Sequence, residues 1–313
     1  VTGGRDNTVR IWDTKKLELL KEIKFDNEIA SIMYSDDDKS MVVVEGTGYQ
    51  RVLKWNLFSM PGGDLQVAKD LPPSTRKCFV SNNCNWVIYG QRDNTVILEN
   101  TETGEITQEI DSHGGWIEGA QFGPNSEKFI TLAKDGIARM YDIKSGELLH
   151  SNQFGAEFGG HCAFSNKGDI YVLYCLFGMN STRPVAFDST TGKKLFELKH
   201  GSGVSNLSFT EDDQNIISSS LDYTAKIWSR NDVQFPLQSY SVGSRVASVL
   251  HKESYPNRIF TISIDGNIYV YDKESALFVD GPYRGADDCA WFSINLKTKP
   301  KSDYFLAINR NNS

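Results

Sequence analysis

His113 precedes Thr131 by 18 residues and Asp135 by 22, and His200 precedes Ser218 and Asp222 by the same 18 and 22. Imidazole, hydroxyl and carboxylate are the parts of a nucleophilic triad, in which the histidine takes the hydroxyl proton and the acid orients the histidine. One such constellation is enough for catalysis. The same intervals in two separate segments point instead to a structural network that recurs with the fold. Each is completed by an aromatic residue six positions after the aspartate, Tyr141 and Trp228. Asp6 and Asp265 share part of the pattern, with Thr2 and Thr261 four residues before them and Trp12 and Tyr271 six residues after. Polar groups buried in this way must satisfy one another, and once satisfied they hold strand register and loop position.

Other chemistry is sparse. His150, His161 and His251 fall in or beside strand patterns, and the sequence contains no HExxH, GxSxG, P-loop, GxGxxG or EF-hand spacing. SDDDK (35–39) offers carboxylates for a metal ion, but SFTEDDQ (208–214) occupies the same place in another segment, which favours a solvated turn. The five cysteines, Cys78, Cys84, Cys162, Cys175 and Cys289, are odd in number and lack CxxC spacing, so they read as buried reduced thiols. No catalytic residue, metal, cofactor or small-molecule substrate is expected.

The elements that position these residues repeat. DNTVRIWD (6–13), DNTVILEN (93–100), DGIARMYD (135–142), DYTAKIWS (222–229) and DGNIYVYD (265–272) share one pattern, an aspartate turn entering a short alternating strand. RVLKWN (51–56) and RPVAFD (183–188) are degenerate copies. The marker positions 12, 55, 99, 141, 187, 228 and 271 are separated by 43, 44, 42, 46, 41 and 43 residues, the period of four-stranded propeller blades. A second series of inner-strand patterns keeps step with it: IASIMY (29–34), IEGAQF (117–122), VSNLSF (204–209) and VASVLH (246–251), with weaker versions at 75–80, 159–164 and 289–294. TETGE, KSGE and TTGKK are turn sequences, with glycine where positive φ is needed. The fold class is therefore all-β, a seven-bladed β-propeller of four-stranded antiparallel blades.

These residues resemble the WD40 family over essentially the whole chain. The resemblance implies a tetrad in which the aspartate accepts from the histidine and the hydroxyl links the histidine to the indole N–H. His113, Thr131, Asp135 and Tyr141 form one such set, and His200, Ser218, Asp222 and Trp228 another. Glu99 stands at the marker position of a blade without the histidine, and the blade ending at Phe187 has neither the aspartate nor the hydroxyl. As one domain over 1–313, the chain comprises a partial repeat at 1–14, six full repeats over about 15–273 and a partial repeat at 274–313. Strands from both termini are expected to close the ring. VTGGRDNT and LAINRNNS read as the same strand and turn supplied twice, and the chain opens inside a repeat without Met, so an excerpt of a longer or tandem-propeller protein is a live expectation.

Propellers expose, on one face around the channel, the loops entering the inner strands and those between the second and third strands. Residues just before inner strands include Glu28, Trp116, Phe158, Arg245 and Asp288; residues just before turn aspartates include Arg5, Arg92 and Lys134. Trp116 and Phe158, flanked by Arg92 and Lys134, form a candidate partner-binding hot spot, because Trp and Arg dominate interface energetics. The net charge of −7 and pI near 5.3 weigh against direct nucleic-acid binding. No stretch has the roughly 18–20 consecutive apolar residues that span a bilayer, so no membrane insertion is expected, and the thiols suit a reducing cytoplasmic or nuclear setting. The expected function is a non-catalytic scaffold, a subunit of a multiprotein complex that binds other proteins through this face and the blade edges. The alternatives are an RNA- or ribonucleoprotein-associated assembly factor and, less favoured, a propeller enzyme with its active site at the channel mouth.

Overall fold

The computed structural model describes residues 2–284 apart from 4–5, 14–17, 36, 38, 47–53, 61–62, 74, 76, 112, 155–159, 178–180, 252–254 and 266. Every regular element among the described residues is a β-strand. The strands form seven antiparallel sheets, here numbered in chain order: 2–24, 29–70, 77–110, 117–153, 160–197, 204–241 and 246–284. Six have four strands laid side by side in sequence order, and the first has three among the described residues. This is the blade set of a seven-bladed β-propeller. The expected closing strands at 289–294 and 304–313 lie outside the described residues. The chain divides into two compact units, 1–162 and 163–313, with the boundary inside the first strand of sheet 5, Gly160–Phe164.

Two turn types, both written in the sequence, make the repeat. Between second and third strands the repeated aspartate bends back on the chain: its Oδ1 accepts the N–H two residues on, at Thr8 (3.3 Å), Thr95 (3.0 Å), Ile137 (3.0 Å) and Thr224 (3.0 Å). The residue between takes a left-handed conformation, Asn7 at φ 59°, Asn94 at 73°, Gly136 at 75° and Tyr223 at 68°. This is the Asx geometry that short polar side chains support. Between third and outer strands, Asn100, Asp142, Asp188 and Asp272 each accept the N–H three residues on, and the chain then passes through Gly104, Gly146, Gly192 or Ala276 at positive φ. The polar residue that follows the marker position is thus a turn nucleator in sheets 3, 4, 5 and 7.

The second strands read as nearly unbroken apolar runs because both sheet faces are covered. In sheet 3, Val87 and Tyr89 pack with Val42, Val44 and Leu57 of sheet 2, while the intervening Ile88 packs with Phe129 and Tyr141 of sheet 4. In the second unit, Ile216 and Trp228 face sheet 5 residues Val172 and Ala186, and Ile217 and Ile227 face Val249 and Ile259 of sheet 7. Each such side chain contributes about 1.5–3 kcal/mol relative to exposure. Outer strands are mostly exposed, and long polar side chains on those of sheets 1, 2, 3 and 6 tie each to the following sheet. Lys21 Nζ donates to the Gly63 carbonyl (2.8 Å), Lys69 Nζ to Gly104 (2.6 Å) and Gln108 Nε2 to Lys144 (3.2 Å), and Gln238 donates in the same way to Glu274.

Candidate functional site

Sheet 6 holds a complete polar network. His200 Nδ1 lies 2.9 Å from Asp222 Oδ2, His200 Nε2 lies 2.8 Å from Ser218 Oγ, and the Trp228 indole N–H donates to the same hydroxyl at 2.8 Å. Because the Asp222 carboxylate can only accept and Ser218 Oγ already accepts the indole N–H, the partners favour the tautomer with the proton on Nδ1 and the serine hydroxyl donating to Nε2. Asp222 Oδ2 also accepts the Gly201 N–H at 2.7 Å, which anchors the loop entering the inner strand. Burial pushes the His200 pKa down, opposed by the Asp222 carboxylate, so the ring is neutral near pH 7. Burial opposes ionisation of Asp222, but bonds from His200, Thr224 and Gly201 outweigh it and hold the carboxyl well below its ordinary range. Ser218 has 0% of its surface exposed. A hydroxyl with no access to solvent cannot meet a substrate; here it fixes the indole, the imidazole and the loop.

Sheet 4 is wired differently. His113 Nε2 meets Thr131 Oγ1 at 2.7 Å, and Asp135 accepts the Gly114 N–H at 2.8 Å. The resemblance implies that Asp135 accepts from His113; instead its Oδ2 pairs with Arg139 at 2.7 Å, and His113 Nδ1 is buried without a hydrogen-bond partner. The cause is the residue four positions after the aspartate. Arg139 offers a planar fork that takes over the carboxylate, whereas Lys226 in sheet 6 stands 4.0 Å from Asp222 and donates to the Lys199 carbonyl. Burial, followed by the Arg139 charge and against the pull of Asp135, lowers the His113 pKa to about 4. The Tyr141 ring lies 6.0 Å from that of His113.

The other blades depart further. In sheet 3 the marker Glu99 is 0% exposed, with its carboxylate 2.8 Å from Lys69 Nζ and accepting the Tyr89 hydroxyl at 3.1 Å. An intersheet ion pair thus replaces the aromatic. In sheet 7 the Thr261 hydroxyl is buried without a hydrogen-bond partner, and the Tyr271 hydroxyl instead reaches the Ser241 carbonyl at 3.1 Å.

A backbone clamp builds the loop end of sheets 2, 4, 6 and 7. The carbonyl just before the inner strand accepts an N–H from the end of the second strand: Glu28 from Gly46 (2.8 Å), Trp116 from Lys134 (3.0 Å), Gly203 from Leu221 (2.9 Å) and Arg245 from Ile264 (2.9 Å). The two loop positions singled out in the sequence are therefore neighbours within a blade. In sheet 4 the clamp sets Lys134 Nζ 4.4 Å from the centroid of the Trp116 ring, a cation–π contact. Trp116 is half-buried beneath this ammonium rather than standing clear of it. Glu118 joins the group, 3.1 Å from Lys77 Nζ and 3.8 Å from Lys134 Nζ. Arg92 and Arg245 are exposed and Glu28 is half-buried; Arg5, Phe158 and Asp288 lie outside the described residues.

Among the described residues no group of three or more His, Cys, Asp or Glu is placed to hold a metal ion, and no helix is long and apolar enough to cross a membrane. In the 35–39 turn, Asp37 Oδ1 accepts the Ser35 hydroxyl (2.7 Å) and the Lys39 N–H (3.1 Å), and Asp212 repeats this with Thr210 and Gln214. Cys78, Cys84, Cys162 and Cys175 are free thiols, and burial pushes that of Cys175 up to about 11.

Four-stranded sheets and the His200–Ser218–Asp222–Trp228 network have the arrangement that the WD40 resemblance implies. The family model described as WD domain, G-beta repeat matches residues 1–13 and 192–229. The chain is 27% identical over 161 residues to eukaryotic translation initiation factor 3 subunit I of Schizosaccharomyces pombe, covering 48% of each protein. It is 24% identical over 284 residues to WD repeat-containing protein 1 of Bos taurus, covering 88% of the chain and 39% of that protein. It is 28% identical over 213 residues to the guanine nucleotide-binding protein subunit beta of Arabidopsis thaliana, covering 65% of the chain and 54% of that protein. The matches thus span between about two fifths and a little over half of these relatives' lengths.

Proposed function

We propose that this chain is a non-catalytic protein-interaction scaffold, a subunit of a multiprotein complex within the cytoplasm or nucleus. The observation that carries the reading is the clamped loop pair of sheet 4, which presents Trp116 and Lys134 as one unit on a rigid blade. A large aromatic held in place by a cation is the type of group that anchors interfaces, since little conformational freedom remains to be lost on binding. The names of two relatives describe subunits, of a translation initiation factor and of a guanine nucleotide-binding protein, which fits a role in assemblies. The triad-like groups support a structural reading, because Ser218 and Thr131 are fully buried.

The test is a Trp116→Ala, Lys134→Ala double variant in the intact protein, with co-purified proteins quantified by mass spectrometry. A reproducible partner should fall by about tenfold or more while the melting temperature stays within a few degrees, as expected for loss of an interface anchor. A folded variant that retains every partner at wild-type level refutes the site.

A further inference from the structure

Tyr223 occupies the turn between the second and third strands of sheet 6, with φ at 68°. The equivalent turns carry Asn7, Asn94 and Gly136, residue types that reach the left-handed region at little cost. A bulky side chain there is an outlier that its surroundings must hold. The turn is held on both sides: Asp222 Oδ1 accepts the Thr224 N–H at 3.0 Å, and the Tyr223 carbonyl accepts the Val242 N–H at 2.9 Å. The side chain makes no bond in return. Tyr223 is 49% exposed, and among the described residues its hydroxyl has no hydrogen-bond partner and its ring no aromatic or cationic neighbour. A strained, exposed aromatic whose side chain does not serve the fold is the kind of outlier that points to a function.

Three loops meet at this turn and carry an excess of positive charge. Gly201 donates its N–H to Asp222 Oδ2 at 2.7 Å, which brings Lys199 alongside, and Lys226 Nζ donates to the Lys199 carbonyl at 3.0 Å. On the other side, Val242 begins the segment that ends at Arg245, whose carbonyl accepts the Ile264 N–H. Three residues of chain span at most about 11 Å, so one peptide can reach both the Tyr223 ring and the Arg245 guanidinium. Lys199 and Arg245 are exposed, and neither has a carboxylate within ion-pair distance among the described residues. Of the carboxylates in these turns, Asp222 is taken by His200, Gly201 and Thr224, and Asp265 accepts the Ser263 hydroxyl. A β-carbon at Gly243 would meet no atom within 4 Å beyond its chain neighbours, so the segment between ring and guanidinium borders open space. Cations spread over three loops match a run of separated carboxylates better than one compact anion. The phenol ring adds the apolar face and polar tip that interface tyrosines use.

We propose that the loop end of sheet 6, with the loops on either side of it, binds an acidic segment of a partner polypeptide. Its carboxylates meet Lys199, Lys226 and Arg245, and its chain lies against Tyr223. The surface belongs to the second compact unit, and its test does not use Trp116. The intact chain is titrated against fluorescein-labelled Gly-Glu-Glu-Leu-Glu-Glu-Gly and its glutamine counterpart, followed by fluorescence anisotropy. The glutamate peptide should bind saturably at low salt and the glutamine peptide about tenfold or more weakly, with the difference shrinking as salt screens the charges. Arg245→Glu and Lys199→Glu should each weaken the glutamate peptide by about tenfold. Lys144→Glu, the same charge change at an exposed turn of sheet 4, should leave its affinity within about twofold. Tyr223→Asn should weaken binding several-fold without lowering the urea midpoint of unfolding, because asparagine suits the left-handed turn. Absence of saturable binding, equal binding of the two peptides, or affinity unchanged in the folded Arg245→Glu and Lys199→Glu variants overturns the site, as does an equal loss in Lys144→Glu. Full affinity in Tyr223→Asn removes the ring from it, and an oligouridylate that binds more tightly than the glutamate peptide overturns the polypeptide assignment.

Discussion

The two histidine networks contain the same three functional groups and differ in how many partners depend on the hydroxyl. In sheet 6 both the Trp228 indole and the His200 ring bond to Ser218, so Ser218→Ala strands two buried polar groups. At about 1–3 kcal/mol for each unsatisfied group, the expected loss is about 2–4 kcal/mol. In sheet 4 the Thr131 hydroxyl meets the His113 ring, and the shape-matched Thr131→Val should cost about 1–2 kcal/mol. Urea unfolding of the two variants measures both. A Thr131→Val loss equal to or greater than that of Ser218→Ala would show that the sheet 4 network carries more than its hydrogen bonds display. The repeated 18- and 22-residue intervals were enough to place the histidine, hydroxyl and aspartate of both blades near one another. They could not say which donor Asp135 takes, because Arg139 and His113 compete for it and the outcome depends on reach and planarity. An arginine four residues after the aspartate, visible at Arg10 and Arg139 alike, is the signal that would have indicated it.

At the scale of the strand and turn, the outer strands act as ties. Gly146 shows how closely turn and tie are fitted. Its φ of 70° places it in the left-handed region, and a β-carbon there would come within 2.3 Å of Gln108 Oε1, while Gln108 Nε2 reaches the neighbouring Lys144 carbonyl. Gly146→Ala therefore carries the backbone penalty of about 1 kcal/mol and also displaces the tie between sheets 3 and 4. A total of about 1–2 kcal/mol is expected in urea unfolding, with Gln108→Ala largely removing the excess over the backbone term. If Gly146→Ala costs the same in both backgrounds, the tie contributes nothing at this turn. Strand boundaries and both turn families were legible because they rest on local chemistry: alternation, an Asx side chain and a glycine. The surroundings of buried acids were not. Glu45 and Glu99 are acidic residues inside strand patterns, and nothing local distinguishes a carboxylate bound by asparagines from one bound by Lys69 or one left in solvent.

At the scale of the whole molecule, buried histidines make stability a function of pH. His113 and His161 are both lowered to about 4, His113 by burial and then the Arg139 charge, and His161 by burial and then the Lys77 charge; His200 is lowered by burial against the pull of Asp222. Their unfolded values lie near 6.5. Between these limits the unfolded chain binds protons that the folded chain refuses, so stability falls as pH drops through about 6.5 and goes on falling toward about 4. For His113 alone the loss by about pH 5 is of the order of 2 kcal/mol, from its lowered value of about 4. His161 adds less because its side chain is only partly buried. A second loss follows below about pH 4, where Asp222 and Asp135, both held below their ordinary range, begin to take up protons in the unfolded chain first. Urea unfolding across this range should therefore show two declines. His113→Asn should flatten the upper one by about half its height while leaving the lower one in place. An upper decline absent in the parent chain, or undiminished in the variant, would show that His113 is protonated as readily in the folded state as in the unfolded one, and that its burial among the strands of sheet 4 is looser than its contact with Thr131 implies.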